Sequence, residues 1–115
     1  MRLLVCGSHR FGSPAMVWTH LDRLHAELHF THMIHGGAKF IDTFASEWAA
    51  TKPEITRYIC RAEWKKYGLG AGPRRNSRML EWRPDVVVAF PGENGTADMV
   101  KKARAAGVRV IEIEA

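Results

Sequence analysis

The chain has 115 residues, 46% of them hydrophobic and 25% charged. That is the composition of an ordinary globular protein, and residues 1–115 are read as one domain. No apolar run approaches the roughly 18 residues a membrane span needs, and the N-terminal apolar stretch is too short for a signal-peptide core, so a cytoplasmic protein is expected. The formal charge of +5 favours an anionic partner, small or large.

In chain order, "RLLVC" at Arg2–Cys6 is a short apolar run closed by Gly7-Ser8, and reads as a buried strand. Ser13 and Pro14 are an N-cap and first-turn pair, and Val17, Leu21, Leu24 and Leu28 recur on one helical face. A second strand over Phe30–His35 ends in Gly36-Gly37, and a helix over Ile41–Thr51 puts Phe44, Ala45, Trp48 and Ala49 inward and stops before Pro53. Glu54–Cys60 is the third strand. A short segment, "AEWKKYG", then leads into a loop over Gly68–Pro73, followed by a helix over Arg74–Trp82. Asp85–Phe90 has no alternation, as a strand buried on both faces should. A helix over Thr96–Ala106 with Gly107 at C′ and a last strand over Val108–Ile113 complete the order. Strand and helix alternate throughout, so the fold expected is α/β with a five-stranded parallel sheet.

Ligands of such sheets sit outside the carboxyl ends of the strands. Three of those ends are rich in glycine: Gly7-Ser8, His35-Gly36-Gly37, and Pro91-Gly92-Glu93-Asn94-Gly95-Thr96. Glycine lets backbone approach a ligand closely, and the helix that follows offers unpaired N–H groups and the positive end of its dipole. An anion or phosphate site is therefore expected there, with Thr96 capping the last long helix or donating its hydroxyl. Arg75 and Arg78 share a helical face and supply cations, while Trp64, Lys65 and Tyr67 upstream are candidates to meet a base, with the core an equal alternative for Trp64. His35 is the histidine placed in the crevice. Acids within reach are Asp42, Glu93 and Asp98.

Neither G-x-G-x-x-G after the first strand nor a P-loop motif occurs, which argues against a dinucleotide dehydrogenase and a P-loop NTPase. His25 and His29 have a metal-compatible spacing but no completing ligands, so no metal or cofactor is expected. Cys6 and Cys60 are read as reduced thiols.

Taken together, "CGSHRF", "HGGAKFIDTFASEWA", "AEWKKYGLGAGPRRNSRML" and "VVVAFPGENGTADMVKKARAAGV" resemble the YspA/YpsA-related branch of the SLOG superfamily. Those Rossmann-like domains are kin to the LOG phosphoribohydrolases and to the DNA-processing protein DprA. The resemblance implies a three-layer Rossmann-like domain binding a nucleotide or an ADP-ribose-like ligand, and a sensor or effector role in phage–host conflict. It also implies a homodimer. Carried over, the binding residues are Gly7, Ser8, His35, Gly36, Gly37, Asp42, Arg75, Asn76, Gly92, Gly95 and Thr96; Arg78 and Pro91 join them from the helical face and the loop read above. An N-glycosidase acting on a nucleoside monophosphate or NAD derivative is the enzymatic alternative, and a nucleic-acid-binding domain is the third. The enzyme would need Glu93 or Asp42 as its acid or base, because Met99 stands where the LOG motif "PGGxGTxxE" has its glutamate. Phe40 and Ile41 stand where the branch's "HGGARGAD" pattern has small residues.

Overall fold

The computed structural model describes residues 1–114. The strands are β1 (Arg2–Cys6), β2 (His32–His35), β3 (Thr56–Ile59), β4 (Val86–Ala89) and β5 (Arg109–Glu112), and all four pairings between neighbours are parallel. Their order is β3-β2-β1-β4-β5, so the chain works outward from β1 on one side and then returns to β1's other edge. The reversal falls between β1 and β4, which places the expected ligand crevice at their carboxyl ends.

Helices cover both faces, which gives the three layers. Alternation along β1 sends Leu3 and Val5 to one face, where they pack with Val17, Leu21 and Leu24 of α1 (Pro14–Leu28) and Ala45 and Trp48 of α2 (Ile41–Ala50). Leu4 and Cys6 meet Met79 of α4 (Ala71–Glu81) and Met99, Val100 and Ala103 of α5 (Asn94–Ala105) on the other. Every residue of β4 is buried, because a central parallel strand has no solvent face. β3 and β5 are the edge strands, and all four residues of β3 are exposed.

Caps follow the local chemistry. The Ser13 hydroxyl accepts from the Met16 N–H at 3.3 Å, with Pro14 in the first turn of α1. Gly107 follows α5 at φ +75°, the left-handed turn that glycine adopts without strain. Two boundaries differ from expectation. The segment read as a loop over Gly68–Pro73 is a 3₁₀ turn (Gly68–Gly70) running into α4, which starts at Ala71, and a short helix α3 (Trp64–Tyr67) precedes it. Pro73 is tolerated because the first-turn N–H groups of a helix have no partner to lose. Arg74 and Arg75 thus lie beyond the first turn, where the dipole no longer disfavours them. Likewise α5 begins at Asn94, so Thr96 is its third residue and not its cap.

Candidate functional site

The carboxyl ends of β1, β2 and β4 are neighbours in the sheet, so the three glycine-rich turns meet on one edge. Ser8 knots two of them together. Its N–H donates to the Pro91 carbonyl at 3.0 Å and its hydroxyl donates to Glu93 Oε1 at 2.7 Å. The same hydroxyl accepts from the N–H groups of Arg10 and Phe11, at 3.0 and 3.2 Å. Gly92 is needed here for space: a Cβ on it would overlap the Thr96 hydroxyl and lie 2.9 Å from the Ser8 nitrogen.

The β2 turn is built around Asp42, whose Oδ2 accepts from the N–H groups of Gly36 and Ala38, at 3.1 Å each. The side chain is nearly enclosed (6% exposed). Burial raises its pKa to about 6, against the lowering effect of those backbone donors and of Arg75. His35, 2% exposed, accepts the Gly37 N–H on Nδ1 at 3.0 Å and has no partner for Nε2 among the described residues. Burial, then the positive charges of Arg57, Arg61 and Arg75, pushes its pKa down to about 4. The ring is therefore neutral at pH 7, with its proton on Nε2.

α4 bridges the two turns. Arg75 Nη1 donates to the Gly36 carbonyl at 2.9 Å and its Nε donates to Asn76 Oδ1 at 3.1 Å. Buried Asn76 in turn donates to the Gly95 carbonyl at 3.1 Å and to Asp98 Oδ2 at 3.0 Å. Bridge and turns enclose a cleft of about 910 Å³, within the size range of small-molecule sites.

Of the expected residues, Gly7, Gly36, Gly37, Asp42, Arg75, Asn76, Glu93, Gly95 and Thr96 line this cleft. Pro91 and Gly92 face a neighbouring hollow of about 600 Å³ beside β5, which Glu93 and Thr96 also touch. Three of the expected residues lie off this cleft wall. Ser8 is fully buried as the tie between loops and does not reach the cleft wall. His35 does not line the cleft; strand alternation puts its ring on the face of Met33, beneath α1 and α2. Arg78 turns away, donating to the Arg61 carbonyl at 2.9 Å with Glu63 3.5 Å off. It braces the β3–α3 connection instead.

His9, Lys39, Arg61, Leu69 and Asp98 also line the cleft, as does Trp64. Asp98, one of the acids expected within reach, is the fifth residue of α5 and lies beyond its first turn. Arg61 carried no sequence signal, because nothing local says which way a chain leaves an edge strand.

Chemically, the cleft offers backbone donors and cations. The first turn of α5 has no side-chain cap, and Gly95 and Thr96 of that turn face the cleft with Arg75 also on its wall. Asp42 is the acid with a perturbed pKa. Met99 is fully buried in the core layer against Leu4 and Met79, so a LOG-type acid has no counterpart at that position. Ile41, also fully buried, fills the space above Gly7, where a Cβ would lie 2.6 Å from its Cγ2. Phe40 sits at φ +64°, a left-handed conformation natural to the glycine of the branch's pattern.

The sequence profile of the YspA, cpYpsA-related SLOG family matches residues 1–67, which carry β1, the Gly36-Gly37 turn, Asp42 and Trp64. The chain belongs to that family. It is also 36% identical to the Gene 61 protein of Mycobacterium phage D29, over 96% of this chain and 94% of that protein. For this SLOG member, kinship points to a small-molecule ligand related to nucleotides and leaves its identity to the site. Among the described residues, no helix is long and apolar enough to cross a membrane.

Proposed function

We propose that residues 1–115 form a single cytoplasmic module that binds a nucleotide or nucleotide-derived ligand of the AMP, ADP-ribose or NAD type. Its phosphate rests on the Gly92–Thr96 turn and near Gly36-Gly37, countered by Arg75. The observation that carries this reading is the uncapped first turn of α5 facing a cleft whose wall includes Arg75. In the same proposal the module has a sensor or effector role in phage–host conflict and two copies of the chain pair; a relative encoded by a mycobacteriophage is in keeping with the first.

The test is a thermal-shift panel of AMP, ADP-ribose and NAD, repeated on two variants. A ligand at about 100 times its Kd adds about 2.7 kcal/mol to the folded state. Gly95→Asp suits the purpose because a Cβ at Gly95 meets nothing within 4 Å. An acid in a first turn also favours the helix, while its charge repels phosphate. It and Thr96→Val are expected to keep the fold and lose the shift. Retention of the shift in Gly95→Asp contradicts the proposal.

A second reading, N-glycosidic hydrolysis, draws on one observation: Asp42 is a cleft carboxyl with a pKa raised to about 6, suited to general acid–base work near neutrality. Release of free base by wild type but not by Asp42→Asn supports it, and no release between pH 5 and 8 ends it. Nucleic-acid binding rests only on the net charge and predicts affinity that falls steeply with salt.

A further inference from the structure

The tryptophans of this chain are committed in different degrees. Trp48 is fully buried, donates to Asp22 at 2.8 Å and lies under the Lys52 ammonium. Trp18 is half-buried and donates to the Phe44 carbonyl at 3.1 Å. Trp82 stacks edge-on with Tyr58 and His32 and carries the Arg2 guanidinium over its ring. Trp64 has none of this. Among the described residues its indole N–H makes no hydrogen bond, and no aromatic ring or cation lies against it, though nearby Tyr67 carries Arg74 at 4.3 Å. Trp64 is 59% exposed, and it sits on a four-residue helix that buries no side chain.

This uncommitted ring lines the cleft. It rests beside Gly72, whose added Cβ would lie 3.5 Å from Trp64 Cη2, and Leu69, 96% exposed, lines the same cleft. The cleft also takes in the first turn of α5, which follows β4, whereas Trp64 follows edge strand β3 two strands beyond β1; α4, which packs against both α3 and α5, puts Arg75 and Asn76 on the same wall. One end of the cleft thus carries backbone donors and the other a bare aromatic face. Every nucleobase has a π-face, and base–aromatic stacking needs no particular hydrogen-bond pattern.

We infer that Trp64 is the base-stacking platform of the site, so that the ligand lies across α4 with its phosphate on the α5 turn and its base against the indole. Trp64 then makes the protein select nucleotides over plain sugar phosphates. The inference rests on the phosphate reading above, and its test separates the two.

The experiment titrates AMP, GMP, CMP, UMP and ribose 5-phosphate into wild type, Trp64→Ala, Trp64→Phe and Thr96→Val. Affinity and tryptophan emission are followed, and the oligomeric state of each variant is measured by sedimentation. The expected result is that at least one nucleotide binds wild type about tenfold or more tighter than ribose 5-phosphate. Trp64→Ala removes that preference without weakening ribose 5-phosphate, Trp64→Phe keeps most of it, and emission quenching by the nucleotide disappears in both. Equal binding of nucleotides and ribose 5-phosphate to wild type, with Thr96→Val abolishing both, overturns the role of Trp64 and leaves the phosphate site standing. No binding of any of the five compounds overturns both. A dimer that Trp64→Ala dissociates, with nucleotide affinity unchanged, assigns the ring to an interface between copies instead.

Discussion

The two ends of the cleft are built on opposite plans. At the β1/β4 end the polar side chains are tied and only the first-turn N–H groups of α5 stay open: Ser8 ties to Pro91 and Glu93, Asp42 to Gly36 and Ala38, and Asn76 to Gly95 and Asp98. At the β3/α3 end a short helix and an exposed edge strand present Trp64, Leu69 and Arg61 with few ties. The first plan suits a group of fixed shape and charge, since preorganised donors need not be ordered on binding. The second suits the variable part of a ligand, where one open aromatic face accepts many bases. Rigidity and adaptability are thus placed on separate strands of one sheet.

That contrast can be broken by stability measurements. The largest effect is expected at the held end and depends on pH. A raised Asp42 pKa means the folded state keeps a proton that the unfolded chain loses above about pH 4, so this group costs stability as pH rises to about 6. The depressed His35 pKa has the opposite sign: the unfolded chain binds a proton below about 6.5 that the folded state refuses, so stability rises with pH over nearly the same window. Each is worth about 3 kcal/mol from a shift of about two units, and they largely cancel. Asp42→Asn should therefore gain stability more steeply than wild type between pH 4 and 6, and His35→Asn should lose it, both read by urea denaturation across that range. Parallel curves for the variants and wild type would sink this account of the two groups.

Next in size is Asn76→Ala. It leaves the Gly95 carbonyl and Arg75 Nε without their partner, for a loss of roughly 2 kcal/mol. A loss below about 0.5 kcal/mol would show that the α4 bridge does not hold the turns. The smallest effect is at the open end: Trp64→Ala should stay within about 0.5 kcal/mol of wild type, as exposed positions without ties do. A loss as large as that of Asn76→Ala would abolish the distinction between the ends.

Much of the held end was legible from the chain. β-type runs ending in glycine, at Cys6-Gly7, His35-Gly36 and Phe90-Pro91-Gly92, end on one edge of the sheet because the helical segments between them demand parallel crossovers; that the three strands are neighbours comes from the strand order. The direction of single side chains was not legible. Arg75 and Arg78 share a helical face by spacing, yet one reaches the Gly36 carbonyl and the other the Arg61 carbonyl, a difference set by where β2 and β3 end. His35 sits beside two glycines in sequence, but strand alternation turns it into the layer under α2. The start of α4 was hidden by Gly68, Gly70, Gly72 and Pro73, residues that punctuate loops and are also tolerated in a first turn held by tertiary contact. The open end was least legible, because a tryptophan in a short amphipathic segment reads as core until the helix is seen to bury nothing.

The central claim is that phosphate sits on the first turn of α5. The most direct measurement follows the backbone amides of Gly95, Thr96 and Gly37 by two-dimensional NMR during titration with AMP and with inorganic phosphate, using Gly107 beyond the far end of α5 as a reference. Saturable, concerted shifts at Gly95 and Thr96 with both compounds, and a still Gly107, are the predicted result. Shifts confined to Lys101 and Arg104 beside β5, or none at Gly95 and Thr96 at saturating AMP, would contradict it.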